Sequence, residues 1–139
     1  MTANRPRQTG PLDEASLIEV MFYGVTTPRS GRNGTVWIPP TDLFETEDAL
    51  IVQVEIAGVQ QADIAVSLFD RRLIISGVRA DHGPLRRAYH QLQIHFGEFR
   101  TEVELPLAVD EAGVDAEYSD GLLRVVLPKL KAQRVDVQE

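Results

Sequence analysis

The chain has 139 residues, 43% of them hydrophobic, and its 14 basic against 21 acidic side chains leave a net charge of −7. That length predicts one domain rather than an enzyme with a separate cofactor domain, and the lack of cysteine excludes disulfides, thiolate metal sites and thiol nucleophiles. No apolar run approaches the roughly 18 residues of a membrane span, and no basic-then-apolar signal opens the chain, so a cytoplasmic protein with no membrane partner is expected.

Residues 1–36 read as a flexible N-terminal arm, punctuated by Pro6, Gly10, Pro11, Gly24, Pro28, Gly31 and Gly34. One apolar stretch interrupts it, Leu17-Ile18-Glu19-Val20-Met21-Phe22-Tyr23. Asp13 or Ser16 is placed to cap a short helix there, although so short a helix is unstable alone. Two readings stand: a helix packed back on the main domain, or an exposed, adaptable segment for self-association or for binding other proteins.

Residues 37–129 read as strands. Leu50, Val52, Val54 and Ile56 share one face of an extended run, with Gln53 and Glu55 opposite, and Ala57-Gly58 ends it. Ile64, Val66 and Leu68 repeat the alternation, followed by a turn at Asp70-Arg71-Arg72 and the run Leu73-Ile74-Ile75-Ser76. Phe99 to Leu105 alternates again up to Pro106, which has no N–H for a ladder. Leu122 to Leu127 is entered through Asp120-Gly121 and closed by Pro128. Short strands with regular turns predict an all-β, antiparallel, immunoglobulin-like β-sandwich with flexible arms at both ends.

Between Gly77 and Gly97 the pattern weakens into a long loop, in which Tyr89 to Ile94, with Leu92, is a candidate short strand. Such a strand has no neighbour in its own hairpin order, which points to pairing with another subunit. Residues 130–139 form a C-terminal extension, polar except for Leu130, Ala132, Val135 and Val137. Val135-Asp136-Val137 places two branched side chains on one side of an extended chain. It is either a frayed tail or a peg for a groove on a neighbouring subunit.

Residues that carry chemistry are missing. His82, His90 and His95 have no cysteine or carboxylate pair to complete a metal site, so no metal is expected. No phosphate-binding loop or dinucleotide fingerprint occurs, and Ser16, Ser30, Ser67, Ser76 and Ser119 lack a nucleophile-elbow setting. No catalytic residue and no cofactor are expected. Residues 36–129 hold eight basic against sixteen acidic side chains, which disfavours nucleic acid as a partner.

The segment Tyr118-Ser119-Asp120-Gly121-Leu122-Leu123-Arg124-Val125-Val126-Leu127-Pro128-Lys129, with Ala116 ahead of it, resembles the signature of the alpha-crystallin domain of small heat-shock proteins. Gly97-Glu98-Phe99 with Leu105-Pro106 is similar to the family's G-x-F…L-P element, and Leu73 to Arg79 to its L-x-I-x-G-x-R strand. Ile56-Ala57-Gly58-Val59 resembles L-P-G-V, and Asp42-Leu43-Phe44-Glu45 the opening strand. Val135-x-Val137 resembles the C-terminal I-x-I motif. The chain departs from the pattern where Gln93 and Ile94 replace an acid–Arg pair, Thr101 replaces an Arg, and Ala57 replaces Pro. The resemblance then implies altered dimer contacts, and Val for Ile in the peg removes about 0.8 kcal/mol per methylene from subunit linkage.

The resemblance implies an ATP-independent holdase that binds partly unfolded client proteins and prevents their aggregation. Leu17, Ile18, Val20, Met21, Phe22 and Tyr23 are the candidate client contacts. Self-association would seat Val135 and Val137 of one subunit in a groove between the strand of Ile64, Val66 and Leu68 and that of Leu123 and Val125. The loop of Tyr89, Leu92 and Ile94 would pair with a second subunit. The alternative is a co-chaperone-like module of the same sandwich class that docks on one partner as a monomer or dimer. A third reading, an enzyme or metal-dependent sensor using the histidines, predicts a metal stoichiometry near one.

Overall fold

Alternating branched side chains settle as extended chain because their faces can be buried against a second sheet. The computed structural model describes residues 16–18, 20–21, 35–131 and 137. Within them lie nine strands: β1 Ser16–Ile18, β2 Val20–Met21, β3 Thr41–Glu45, β4 Ala49–Glu55, β5 Ile64–Phe69, β6 Arg72–Arg79, β7 Gly97–Glu104, β8 Asp115–Ser119 and β9 Leu122–Pro128. Two 3-10 turns, Gln61–Asp63 and Glu111–Gly113, complete the elements, and no α-helix occurs among the described residues.

The strands form two sheets, ordered β1-β8-β9-β4-β3 and β2-β5-β6-β7. Every pairing is antiparallel except β2 with β5. The expected all-β sandwich is the fold. Its core joins Leu50, Val52, Val54 and Ile56 of the first sheet's side to Ile64, Val66, Leu73 and Ile75 of the second, with Phe99, Leu123, Val125 and Leu127. Each such aliphatic side chain contributes about 1.5–3 kcal/mol on full burial, so these strands hold together without a metal or a disulfide.

The turns follow their residues. Asp120 and Gly121 have φ of 53° and 78°, the two positive values a two-residue hairpin between β8 and β9 requires. The Gly121 carbonyl also accepts from the Ile56 amide at 2.9 Å, and a Cβ there would lie 2.9 Å from the Cβ of Ala57. The Thr46 hydroxyl accepts from the Ala49 amide at 3.1 Å and so shapes the turn from β3 to β4.

One expectation needs correction here. In the apolar stretch after Ser16, Leu17 and Ile18 lie in β1 and Val20 and Met21 in β2, extended and not helical. Edge strands with unpaired amides offer this segment backbone partners that a lone helical turn lacks. Phe22 and Tyr23 lie outside the described residues, as do Val135 and the helix-capping candidate Asp13. Tyr89 to Ile94, expected to pair with a second subunit, is irregular within the single chain, as are the described residues from Ala80 to Phe96. Among the described residues no strand pairs with this segment.

Candidate interaction surfaces

The first surface is a margin of the sandwich. Without β1, the first sheet would end at β8; without β2, the second would end at β5. Ser16, Leu17 and Ile18 pair with Tyr118, Glu117 and Ala116, and Val20 and Met21 pair with Val66 and Ser67. One stretch of chain therefore crosses from one sheet edge to the other. This places the groove expected beside Ile64, Val66 and Leu68 differently. Its opposite wall is β8, because β9 lies inside its sheet between β8 and β4. Ile64, Val66, Leu68, Leu123 and Val125 are all core residues, at most 2% exposed, so within this chain they build the interior. Val137 stands 88% exposed and is not seated on its own chain.

The second surface is the loop between β6 and β7 and the cleft beneath it. Arg79, the last residue of β6, is the hub. Its Nε donates to the His95 carbonyl at 2.8 Å and its guanidinium to the Ala57 carbonyl at 3.2 Å. The same guanidinium lies 4.3 Å from the centroid of the Trp37 ring and 5.6 Å from that of Phe96. His95 stacks on Trp37 at 5.7 Å, Phe99 meets it from the core side at 5.4 Å, and Trp37 Nε1 donates to the Gly97 carbonyl at 3.2 Å. Both roots of the loop are thereby fastened to one ring, beside an open cleft of about 880 Å³. Between those roots Leu92 and Ile94 are 65% and 64% exposed, and Leu85 and Tyr89 are exposed as well. The sequence flagged Tyr89, Leu92 and Ile94 but not Trp37 or Arg79. The signal for Arg79 was its place as the closing arginine of the L-x-I-x-G-x-R resemblance.

Edges matter for the same reason. Trp37 bridges the outer side of β7 through its amide to the Glu98 carbonyl and its carbonyl to the Arg100 amide, both at 3.1 Å. The outer side of β3 carries no strand among the described residues, and Leu43 and Phe44 there are partly exposed.

At the position where the family pattern has an arginine, Thr101 is 5% exposed, the one buried polar residue among those described. Its hydroxyl shares a 2.9 Å hydrogen bond with Thr41 of β3, and Thr41 Oγ1 also reaches the Pro39 carbonyl at 2.9 Å. The side chain thus links the two sheets internally.

The titratable groups are those of a surface. In the loop, the Gly83 amide first and the Arg87 guanidinium second hold the Asp81 carboxyl below its usual value. Burial pushes the Tyr118 phenol above its ordinary 10.0, and its O–H donates to the Ile56 carbonyl at 2.9 Å. His82 and His90 are exposed in the loop. Among the described residues no three His, Asp or Glu side chains are grouped to hold a metal ion, and no helix is long and apolar enough to cross a membrane.

Comparison with known protein families gives a match over residues 42–138 to the Hsp20/alpha crystallin family. The chain belongs to the Hsp20/alpha crystallin family. Small heat shock protein C2 of Rickettsia felis is 27% identical over 121 residues, covering 84% of this chain and 77% of that one. Heat shock protein 16 of Schizosaccharomyces pombe is 30% identical over 107 residues, 72% of each chain. Among solved structures, heat shock protein 16.0 from Schizosaccharomyces pombe superposes with a TM-score of 0.61 at 29% identity, covering 73% of this chain and 94% of that one. A small heat-shock protein from Xylella fastidiosa, described as having a distinct high order structure, gives 0.63 at 25% identity over 76% of this chain and 100% of that one. Membership of the Hsp20/alpha crystallin family gives the chain a chaperone role in general terms.

Proposed function

We propose that this chain is an ATP-independent holdase of the cytoplasm that captures partly unfolded proteins on apolar surface and keeps them from aggregating. The observation that carries the reading is the set of exposed apolar side chains, Leu85, Tyr89, Leu92 and Ile94, held outside a core that is already complete. Clients expose apolar patches and unpaired strand edges, so a holder needs adaptable apolar surface and no reacting group. Leu17, Ile18, Val20, Met21, Phe22 and Tyr23 add to that surface when the N-terminal segment leaves the sandwich.

Self-association supplies the rest. The loop of Tyr89, Leu92 and Ile94 pairs as a strand with the open β3 edge of a second copy, making a dimer, and Val135 and Val137 link dimers through the β5–β8 margin. Many weak links give a large assembly that still releases its subunits. The alternative, a dimeric module for one specific partner, draws on Thr101, whose hydroxyl is tied inside the sandwich instead of offering a charge to a neighbour.

Light scattering of a heat-labile protein, with and without an equimolar amount of the chain, tests the holdase. Suppressed scattering is expected, and an unchanged curve overturns it. Native mass spectrometry separates the alternative: a lone dimer that ignores denatured protein supports the module. Leu92→Asp with Ile94→Asp should convert dimers to monomers while the sandwich stays folded.

A further inference from the structure

The loop between β6 and β7 differs in charge from the sandwich that carries it. Residues 82–97 hold Arg86, Arg87 and all three histidines of the chain, and no acid. The rest of residues 36–129 holds six basic against sixteen acidic side chains. Arg87 is tied to Asp81, whereas Arg86 stands exposed and makes no ion pair among the described residues. Leu85 beside it is fully exposed, and Leu92 and Ile94 stand open on the same loop. Apolar surface and positive charge are therefore displayed together here, on a protein of net charge −7. The open edge of β3 has the opposite character, with Leu43 and Phe44 between Asp42 and Glu45.

We infer that this loop selects clients by charge, taking unfolded segments in which apolar residues are interleaved with acids. The inference rests on the holdase reading and names the class of segment held. A free guanidinium next to an exposed leucine meets a carboxylate next to an apolar side chain, and the planar Arg–carboxylate pair fixes how the segment lies. The remaining surface, with its excess of acids, repels the same segment and so steers it to the loop. Basic segments meet Arg86 and Arg87 there and are turned away by like charge. The β3 edge of a second copy, Asp42-Leu43-Phe44-Glu45, is a folded example of what the loop accepts. A client of this class and a second copy therefore compete for one surface.

The test uses the full chain and three labelled peptides with identical leucine, phenylalanine and valine positions, whose other positions are all Glu, all Gln or all Lys. Fluorescence anisotropy at low salt should rank their affinities Glu over Gln over Lys, with about fivefold between the first two. Salt raised to about 0.5 M should close the gap. The reverse order, which net charge alone dictates, overturns the inference. Equal affinities overturn it too and leave the holdase standing. Absence of binding by every peptide also overturns it, and the holdase falls with it only if scattering of a heat-labile protein is unsuppressed as well. Arg86→Glu should weaken the acidic peptide by about tenfold with an unchanged melting curve, because Arg86 is exposed and makes no ion pair. Arg124→Glu changes the net charge equally from an exposed position on β9 and should leave the ranking intact. Equal losses in the two variants would assign the selection to the overall field and overturn the role of the loop. If a second copy is the sole occupant of the loop, Arg86→Glu splits dimers in native mass spectrometry without changing the affinity of any peptide, and that outcome overturns the inference.

Discussion

The Arg79 guanidinium lies 4.3 Å from the centroid of the Trp37 ring, and through that contact both ends of the long loop are fastened to the sandwich. Trp37 is the one tryptophan of the chain, so its emission reports directly on the loop roots. Arg79→Ala removes a cation from the ring face and donors from the His95 and Ala57 carbonyls. The expected cost is about 1–2 kcal/mol in urea unfolding, with a shifted emission maximum and easier quenching of Trp37 by acrylamide. Arg79→Lys should recover little of this, because an ammonium lacks the planar fork. Emission unchanged in Arg79→Ala would mean that the ring is held by His95 and Phe99 alone.

Thr101 and Thr41 provide a test of the internal link between the sheets. Replacing either by Ala removes a hydrogen bond of 2.9 Å, and a double-mutant cycle should give a coupling of about 1 kcal/mol. Thr101→Arg, which restores the residue type of the family pattern, puts an unpaired cation in a site only 5% exposed. It should destabilise the sandwich far more than either Ala, by several kcal/mol. A Thr101→Arg protein as stable as wild type would show that β7 can turn this position outward.

Gly77 is fixed by space. A Cβ at Gly77 would lie 2.1 Å from the Asp63 carbonyl oxygen and 2.6 Å from Phe99 Cζ. Neither neighbour can yield cheaply, since one is backbone and the other a fully buried ring. Gly77→Ala should therefore cost about 1–3 kcal/mol or more by overpacking, and circular dichroism melts read it as a lowered Tm. Phe99→Ala should cost about 3–5 kcal/mol. Phe99→Leu relieves only the ring contact, so the double variant Gly77→Ala/Phe99→Leu should be more stable than the two single losses added together while still carrying the cost of the Asp63 carbonyl clash.

Tyr118 sets an alkaline limit. Burial favours its neutral phenol, so its folded pKa lies above the ordinary 10.0 of the unfolded chain. Below pH 10 both states are neutral and the group contributes no pH dependence. As pH rises past that value the unfolded chain loses the proton first, so stability falls with increasing pH. Tyr118→Phe should flatten this alkaline slope and cost about 1 kcal/mol at neutral pH through loss of the bond to the Ile56 carbonyl. Urea midpoints measured from pH 8 to pH 11.5 in both proteins check it; parallel slopes would assign the alkaline loss to other groups.

Periodicity exposed much of the sandwich in the sequence. Leu50, Val52, Val54 and Ile56, and then Ile64, Val66 and Leu68, alternate over enough residues that only one face can go inward, and all seven are core residues. The Asp120-Gly121 turn was equally legible, because its two positive φ values suit those residue types. Strand order was not legible. Nothing local in Leu122 to Leu127 says that β8 and β4 flank it, so the groove wall was assigned to β9 instead of β8. The stretch from Leu17 to Tyr23 carries no clear period, and the extended form of Leu17, Ile18, Val20 and Met21 is set by the sheet edges they meet rather than by local propensity. The role of Arg79 needed three distant partners, Ala57, His95 and Trp37, brought together only by the fold.

The side chains of the core cluster, from Leu50 to Leu127, are buried by the sandwich of a single copy. Dilution should then separate copies without melting them. Copies that associate as proposed would do so as finished parts, exchanging edges with no refolding step in between.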